Sequence, residues 1–403
     1  MSPGRISKLR GAIMTRISAA SLALGAALLG LAPGGAARAA DVNVAFIATL
    51  SGPAATLGKQ LYDGFALRLQ QLGDKLGGEK VHVTVIDDEL KPDVALTKLR
   101  AVLESRHINF VVGPIFTIVE AAIFKPVIKS GAIFISPNAG WSYLAGKGCN
   151  PHFFSTSYEN GQPHSVSGQY ATNAGYKRMF LLAPDYQAGH EALAGFKSLY
   201  KGKIVAEDYV PLTSMDFQSE LAKIAQAKPD AIYAFLPGGL GINFVKQFHA
   251  AGMNHIPFLS AFTADESVLP AEGDAALGLY GGADWAPDLN NPTNKAFVAA
   301  FEAKYHYVPA TYAAQSYDTA SLINAAVRQA GGASDANKVA AAMAKADFKS
   351  VRGNFRFGHN HYPIEDFYLT RVVKGADGKL QTSIVKKVLT NAVDPFASQC
   401  KMK

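Results

Sequence analysis

A chain of 403 residues exceeds one typical hydrophobic core, so its length argues for two domains once any processed segment is set aside. The formal net charge of +7 belongs to the first 39 residues, where Arg5, Lys8, Arg10, Arg16 and Arg38 stand without an acid; taking those five from 39 leaves 34 basic side chains against 32 acidic ones. A near-neutral remainder without a basic run offers no electrostatic footing for nucleic acid.

The chain opens as a secretory signal peptide. Cationic residues precede an apolar run at 17–31, and Ala37 and Ala39 are the small residues of a cleavage site after Ala39. The run is short and rich in Ala and Gly, which disfavours the alternative of an uncleaved anchor. No cysteine lies near the cleavage point to take a lipid, so the expected product is soluble and exported. Cys149 and Cys400 are the two cysteines, and in an oxidising compartment such a pair forms a disulfide or stays as two independent thiols.

After the leader, strand and helix alternate. A strand at 42–48 ends in a loop, and the helix at 55–72 repeats Leu57, Leu61, Phe65 and Leu69 every four residues to make one buried face. A strand at 81–86 leads through Asp87 and Asp88 to a helix at 93–105, with Asp93 as its expected cap. Next comes a strand–loop–helix–strand–loop unit at 111–140. Its parallel strands place both following loops at one carboxyl edge, where open α/β sheets bind ligands. The first loop carries Gly113, Pro114, Phe116 and Thr117; the second carries Ser136, Pro137, Asn138, Ala139 and Gly140, then Trp141. Hydroxyls and free amides there suit an anionic oxygen and aromatic neighbours suit an apolar body. The same residues also occur in ordinary βα turns, and Thr117 in a helix cap.

The pattern pauses at 158–161 and restarts. Strands are expected at 178–183, 204–209, 231–236, 258–261 and 279–283, with helices from about 163 and at 189–200, 216–227 and 240–251. Residues 285–292 form a further boundary. Helical patterns at 294–307, 311–330 and 336–345 then return to cover the first domain, and an edge hairpin from strands 367–373 and 382–388 joins the second. The expected fold class is α/β, two Rossmann-like lobes joined by a hinge that the chain crosses three times, near Glu159, Pro287 and Gly353. Residues 40–158 with 288–352 form one lobe and 159–287 with 353–403 the other.

These residues resemble the type I periplasmic solute-binding proteins of ABC transporters, the leucine/isoleucine/valine-binding group. The likeness rests on LSGPAATLGKQLYDGF from Leu50, IDDELKPDVALTKLRAVL from Ile86, VVGPIFT and ISPNAG in the central unit, APDYQAG from Ala183, FVKQFHAAGM from Phe244 and SYDTA from Ser316. It implies a periplasmic monomer that closes on a small carboxylate and delivers it to permease subunits, with no cofactor. It also implies that Thr117, Ser136 and the amides of Asn138, Ala139 and Gly140 hold the carboxylate.

The chain departs from that pattern. Gly140 lacks the usual hydroxyl, Phe262 stands where amino-acid binders carry an acid, and Leu57 and Ala188 replace ligand-covering tyrosines. An ammonium left without its acid is a desolvated charge costing roughly 3 kcal/mol or more. With Phe116, Trp141, Phe262, Phe235, Tyr186 and Trp285 as candidate walls, an aromatic acid of benzoate or phenylpropanoid type fits better than an α-amino acid. Phe116 and Phe262 also suit the core, and Asp265 or Glu266 reaching an ammonium would restore a branched-chain amino acid or amide.

Other chemistries find little footing. There is no G-x-S-x-G elbow, phosphate loop or H-E-x-x-H motif. Gly238, Gly239 and Gly241 lack the third glycine of a dinucleotide fingerprint and read as a helix start. Asp87 and Asp88 point to opposite faces of a strand, which suits structure better than a hydrolase's acid/base pair. His359 and His361 have a spacing that could bind metal but read as a solvated turn. The Tyr317–Asp318 pair is expected to brace the hinge, and a soluble ligand-sensing subunit is the alternative of another class.

Overall fold

Apolar runs bounded by turn residues form parallel strands, and stretches with one apolar face form the helices that cover them. The structure is a computed structural model and describes residues 41–402. The signal-peptide segment lies outside the described residues.

The first half builds one sheet. Its elements are β1 (Val42–Ala48), α1 (Ala55–Gln71), β2 (Lys75–Leu76), β3 (Glu79–Asp87), α2 (Pro92–Ser105), β4 (Phe110–Val112), α3 (Thr117–Ser130), β5 (Ile133–Ser136), α4 (Ser142–Ala145) and β6 (Phe153–Ser155). The order is β2-β3-β1-β4-β5-β6, parallel apart from the β2–β3 hairpin. Val112 pairs with Ile135, so β4, α3 and β5 form the expected βαβ unit.

The second sheet follows with α5 (Gln162–Asn173), β7 (Arg178–Pro184), α6 (Gln187–Leu199), β8 (Lys203–Val210), α7 (Gln218–Ala227), β9 (Ala231–Ala234), α8 (Gly239–Ala250), β10 (Phe258–Ser260), α9 (Leu269–Glu272) and β11 (Tyr280–Ala283). The chain then returns to the first sheet with α10 (Pro292–Tyr305), α11 (Thr311–Ala330) and α12 (Ala336–Met343), α11 packing along α1. It crosses back for β12 (Phe355–Phe357), β13 (Pro363–Lys374) and β14 (Leu380–Ala392). The order is β12-β13-β11-β10-β9-β7-β8, with β14 on β13. The hairpin strands run longer than the sequence suggests, and β13 lies inside the sheet between β11 and β14, where its buried run Phe367–Tyr368–Leu369 is covered on both sides.

Three local expectations are corrected. Asp93 does not cap α2: Pro92 takes the first helical position and Lys91 is the cap, which leaves Asp93 in the first turn, a favourable place for an acid. Thr117 is likewise the first helical residue of α3, with Phe116 as the cap. His361 is no solvated turn residue; its ring stacks on Phe154 at 4.0 Å and its Nδ1 bonds the Phe153 carbonyl.

Cys149 and Cys400 are disulfide-bonded, tying the C-terminal tail to the segment between α4 and β6. Asp87 and Asp88 serve structure: Asp88 accepts from Thr49 Oγ1 at 2.6 Å and Asp87 from the Leu50 amide at 2.9 Å, which fixes the loop after β1. Among the described residues no helix is long and apolar enough to cross a membrane, and no group of three His, Cys, Asp or Glu residues could hold a metal ion.

Candidate ligand-binding site

The carboxyl edges of both sheets face one small cavity of about 30 Å³. From the first sheet come Leu57 at the start of α1, Ile115, Phe116 and Thr117 after β4, and Asn138 after β5. Tyr158, Asn160 and His164 come from the crossing after β6, and Tyr312 from the start of α11. The second sheet supplies Tyr186 and Ala188 after β7, Phe235 and Pro237 after β9, and Phe262 after β10. Every one of these side chains is buried.

The walls are aromatic. Tyr158 and Phe262 stack with centroids 5.3 Å apart, His164 meets Phe235 edge-on at 4.8 Å, and Phe116 faces Tyr186 across the cavity at 6.3 Å. Phe262 holds a left-handed backbone, φ +58°, a costly conformation for a bulky side chain.

Hydrogen-bond accounting shows which groups are left for a ligand. Asn160 donates from Nδ2 to Thr117 Oγ1 (3.1 Å) and to Glu191 (2.6 Å), and accepts the Gly140 amide at Oδ1 (2.9 Å), so both of its amide protons are committed. Thr117 Oγ1 therefore acts as an acceptor within the protein and keeps its own proton to donate. Asn138 Nδ2 donates to Tyr158 (3.1 Å) and Gln315 (3.1 Å), which leaves the Tyr158 proton uncommitted in the same way. The Tyr186 and Tyr312 hydroxyls have no hydrogen-bond partner among the described residues, and burial holds both phenols protonated. The lining is thus rich in neutral donors and contains no carboxylate.

Eight of the thirteen residues singled out in the sequence line this cavity: Leu57, Phe116, Thr117, Asn138, Tyr186, Ala188, Phe235 and Phe262. Five stand outside the lining. Ser136 spends its hydroxyl on the Ala139 carbonyl at 2.6 Å, and the Gly140 amide is taken by Asn160. Gly140 lacks a side chain because an added Cβ would stand 2.3 Å from the Tyr158 carbonyl oxygen. Trp141 is half-buried and packs on Tyr143 at 4.9 Å. Trp285 belongs to the apolar cluster under α10, donating to Asn294 at 2.7 Å. Asp265 and Glu266 stand outside the lining: Asp265 accepts from Ser267 at Oδ1 while its Oδ2 is buried without a partner among the described residues, and Glu266 accepts from the amide and hydroxyl of Thr382 on β14. Burial raises their carboxyls to about 6 and about 7. Tyr158, Asn160, His164 and Tyr312 were not legible as lining, although the pause at 158–161 marked two of them.

The two walls already touch. The Gly239 amide, at the start of α8, donates to the Pro53 carbonyl at 3.0 Å, and Ser142 bonds Glu191. An added Cβ on Gly239 would come within 2.8 Å of Pro53 Cβ, so glycine permits the approach. Where the chain crosses between sheets, fully buried Arg352 bonds Asp318 (3.2 Å), Glu365 (3.0 Å) and the Ser157 carbonyl (3.1 Å), with Asp284 at 3.5 Å. Asp318 also accepts Ser350 Oγ and the Val351 amide, so the bracing role expected of the SYDTA segment falls on Asp318.

Two α/β lobes meeting over a buried, donor-lined cavity define a bilobed small-molecule binding protein. The chain belongs to the periplasmic binding protein family, whose model matches residues 41–379. It is 28% identical over 357 residues to a Leu/Ile/Val-binding protein homolog 6 of Brucella melitensis, covering 85% of this chain and 90% of that one. It is 33% identical, with a TM-score of 0.85, to an R. palustris ABC-transporter solute-binding protein solved with benzoate, covering 90% of this chain and 100% of that one. A second solute-binding protein, from Rhodopseudomonas palustris BisB5 in complex with 3,4-dihydroxybenzoic acid, is 29% identical with a TM-score of 0.83, covering 88% and 99%. This chain is an ABC-transporter solute-binding protein, a class that binds small molecules and works with permease subunits.

Proposed function

We propose that this protein captures a small aromatic carboxylate in the periplasm, closes its two lobes over it and presents it to an ABC permease. The observation that carries the reading is the cavity's chemistry: hydroxyl donors and aromatic faces with no carboxylate in the lining. The acid's oxygens take the Thr117 hydroxyl and the first amides of α3, where the helix N-terminus adds favourable partial charge. The tyrosine hydroxyls serve as further donors, and the ring lies among Phe116, Phe235 and Phe262. The solved relatives bound to benzoate and 3,4-dihydroxybenzoic acid support the same ligand class.

A branched-chain amino acid fits less well. Its ammonium would meet donors, and no carboxylate stands in the lining to pair with it. The lobes are taken as residues 40–158 with 288–352 and 159–287 with 353–403, supported by the membership of the two sheets. Cleavage after Ala39 releases a monomer that binds without turnover. Small-angle scattering tests the mechanism. The radius of gyration is expected to contract on adding 4-hydroxybenzoate and to stay constant with leucine; a profile unchanged by an acid that calorimetry shows to be bound contradicts closure.

A further inference from the structure

His164 is buried on the second-sheet wall and lines the cavity, yet the carboxylate reading makes no use of it. Its Nδ1 bonds the hydroxyl of Tyr233, a fully buried residue of β9 with no other partner for its proton among the described residues. If the imidazole donated from Nδ1, the Tyr233 proton would be stranded in the core, a costly arrangement. Tyr233 therefore donates to Nδ1. Burial pulls the imidazole down to about 3, so it is neutral and carries a single N–H, at Nε2. Nε2 has no partner among the described residues. Phe235 and Phe262 flank the ring edge-on, holding it in place with apolar groups that cannot satisfy the N–H.

We propose that His164, held in its Nε2–H tautomer by Tyr233, selects aromatic carboxylates that carry a second oxygen on the ring, donating a hydrogen bond to a phenolic hydroxyl. This rests on the aromatic-acid reading. Thr117 stands on the first-sheet wall and His164 on the second, so the two ends of one ring substituent pattern are read from opposite lobes. An unsubstituted ring leaves the buried N–H unpaired, and that penalty is the source of discrimination.

The test is calorimetric titration of the protein and of H164F, H164Q and Y233F with benzoate, 3-hydroxybenzoate and 4-hydroxybenzoate. The unaltered protein is expected to bind one of the hydroxybenzoates at least about tenfold more tightly than benzoate. H164F removes that preference, so that benzoate and the hydroxybenzoates bind within about threefold of one another. H164Q, which keeps an N–H donor, retains part of the preference, and Y233F, which frees the tautomer, weakens it. Equal affinity of the unaltered protein for all three acids overturns the inference. So does an equal loss for all three in H164F, which would assign the imidazole to the carboxylate or to the fold. Should H164F fail to bind benzoate, Y233F decides on the same ratio. Binding of leucine and of none of the three acids overturns the aromatic-acid reading itself.

Discussion

The cavity and the crossing beneath it solve the burial of polar groups in opposite ways. At the crossing, Arg352 is buried against Asp284, Asp318 and Glu365, and burial pushes the Asp318 and Glu365 carboxyls up while the guanidinium pulls them down. In the cavity the polar lining is neutral, drawn from Thr, Asn, Tyr and a neutral His. A fixed charge brought with its partners holds the crossing in one geometry. A neutral donor array leaves the site without a charge of its own, so that the ligand supplies the anion.

The largest effect is expected where the charged region is broken. Arg352→Met removes the cation and leaves its acids buried without it, which should destabilise the fold by about 3–5 kcal/mol in urea unfolding. Charging the neutral region is the converse test. Phe262→Asp places an acid in the lining at a left-handed position that Asp tolerates better than Phe. Aromatic-acid affinity should fall about a hundredfold, roughly 2.7 kcal/mol by calorimetry, through like-charge repulsion. A variant binding as before would show that the ligand's carboxylate lies far from Phe262.

A smaller effect concerns the acid beside the site. Glu266 is raised to about 7, first by burial and then by Asp265, so its native state favours the protonated form. The stability it contributes is fully present below its ordinary value near 4.5 and is lost as pH rises through about 7. Glu266→Gln should flatten that decline, gaining on the order of 2 kcal/mol at pH 8 relative to pH 5 in thermal unfolding. The smallest change tests the contact between the walls. Gly239→Ala crowds Pro53 and should weaken ligand binding roughly tenfold, about 1.4 kcal/mol, chiefly through faster dissociation in stopped-flow traces.

The fold was legible because its signals are local. Apolar runs such as Val42–Ala48 and Arg178–Pro184 and the four-residue repeat in α1 fix element type with little help from tertiary context. The short strands β2, β6 and β12 escaped because two or three residues carry no periodicity. Legibility of the lining followed the same division. Phe116, Thr117 and Asn138 lie directly after strands, so position in the βαβ unit marked them. Tyr312 and His164 lie on helices whose placement depends on the crossings, and nothing in their neighbours shows which face meets the cavity. Trp285 misled for the complementary reason: it follows β11 at a carboxyl edge, but Asn294 draws its indole under α10. Arg352 could not be paired from sequence, since its partners lie 34, 13 and 68 residues away.

The account turns on the charge of what the cavity takes, and thermal unfolding of the protein against benzoate- and cinnamate-type acids and free leucine and valine tests it most directly. At about 100 times its dissociation constant a bound acid should stabilise the protein by roughly 2.7 kcal/mol, with no shift from the amino acids. Stabilisation by leucine or valine alone would mean that an acid such as Asp265 reaches the ammonium, and would contradict a cavity built for an aromatic carboxylate.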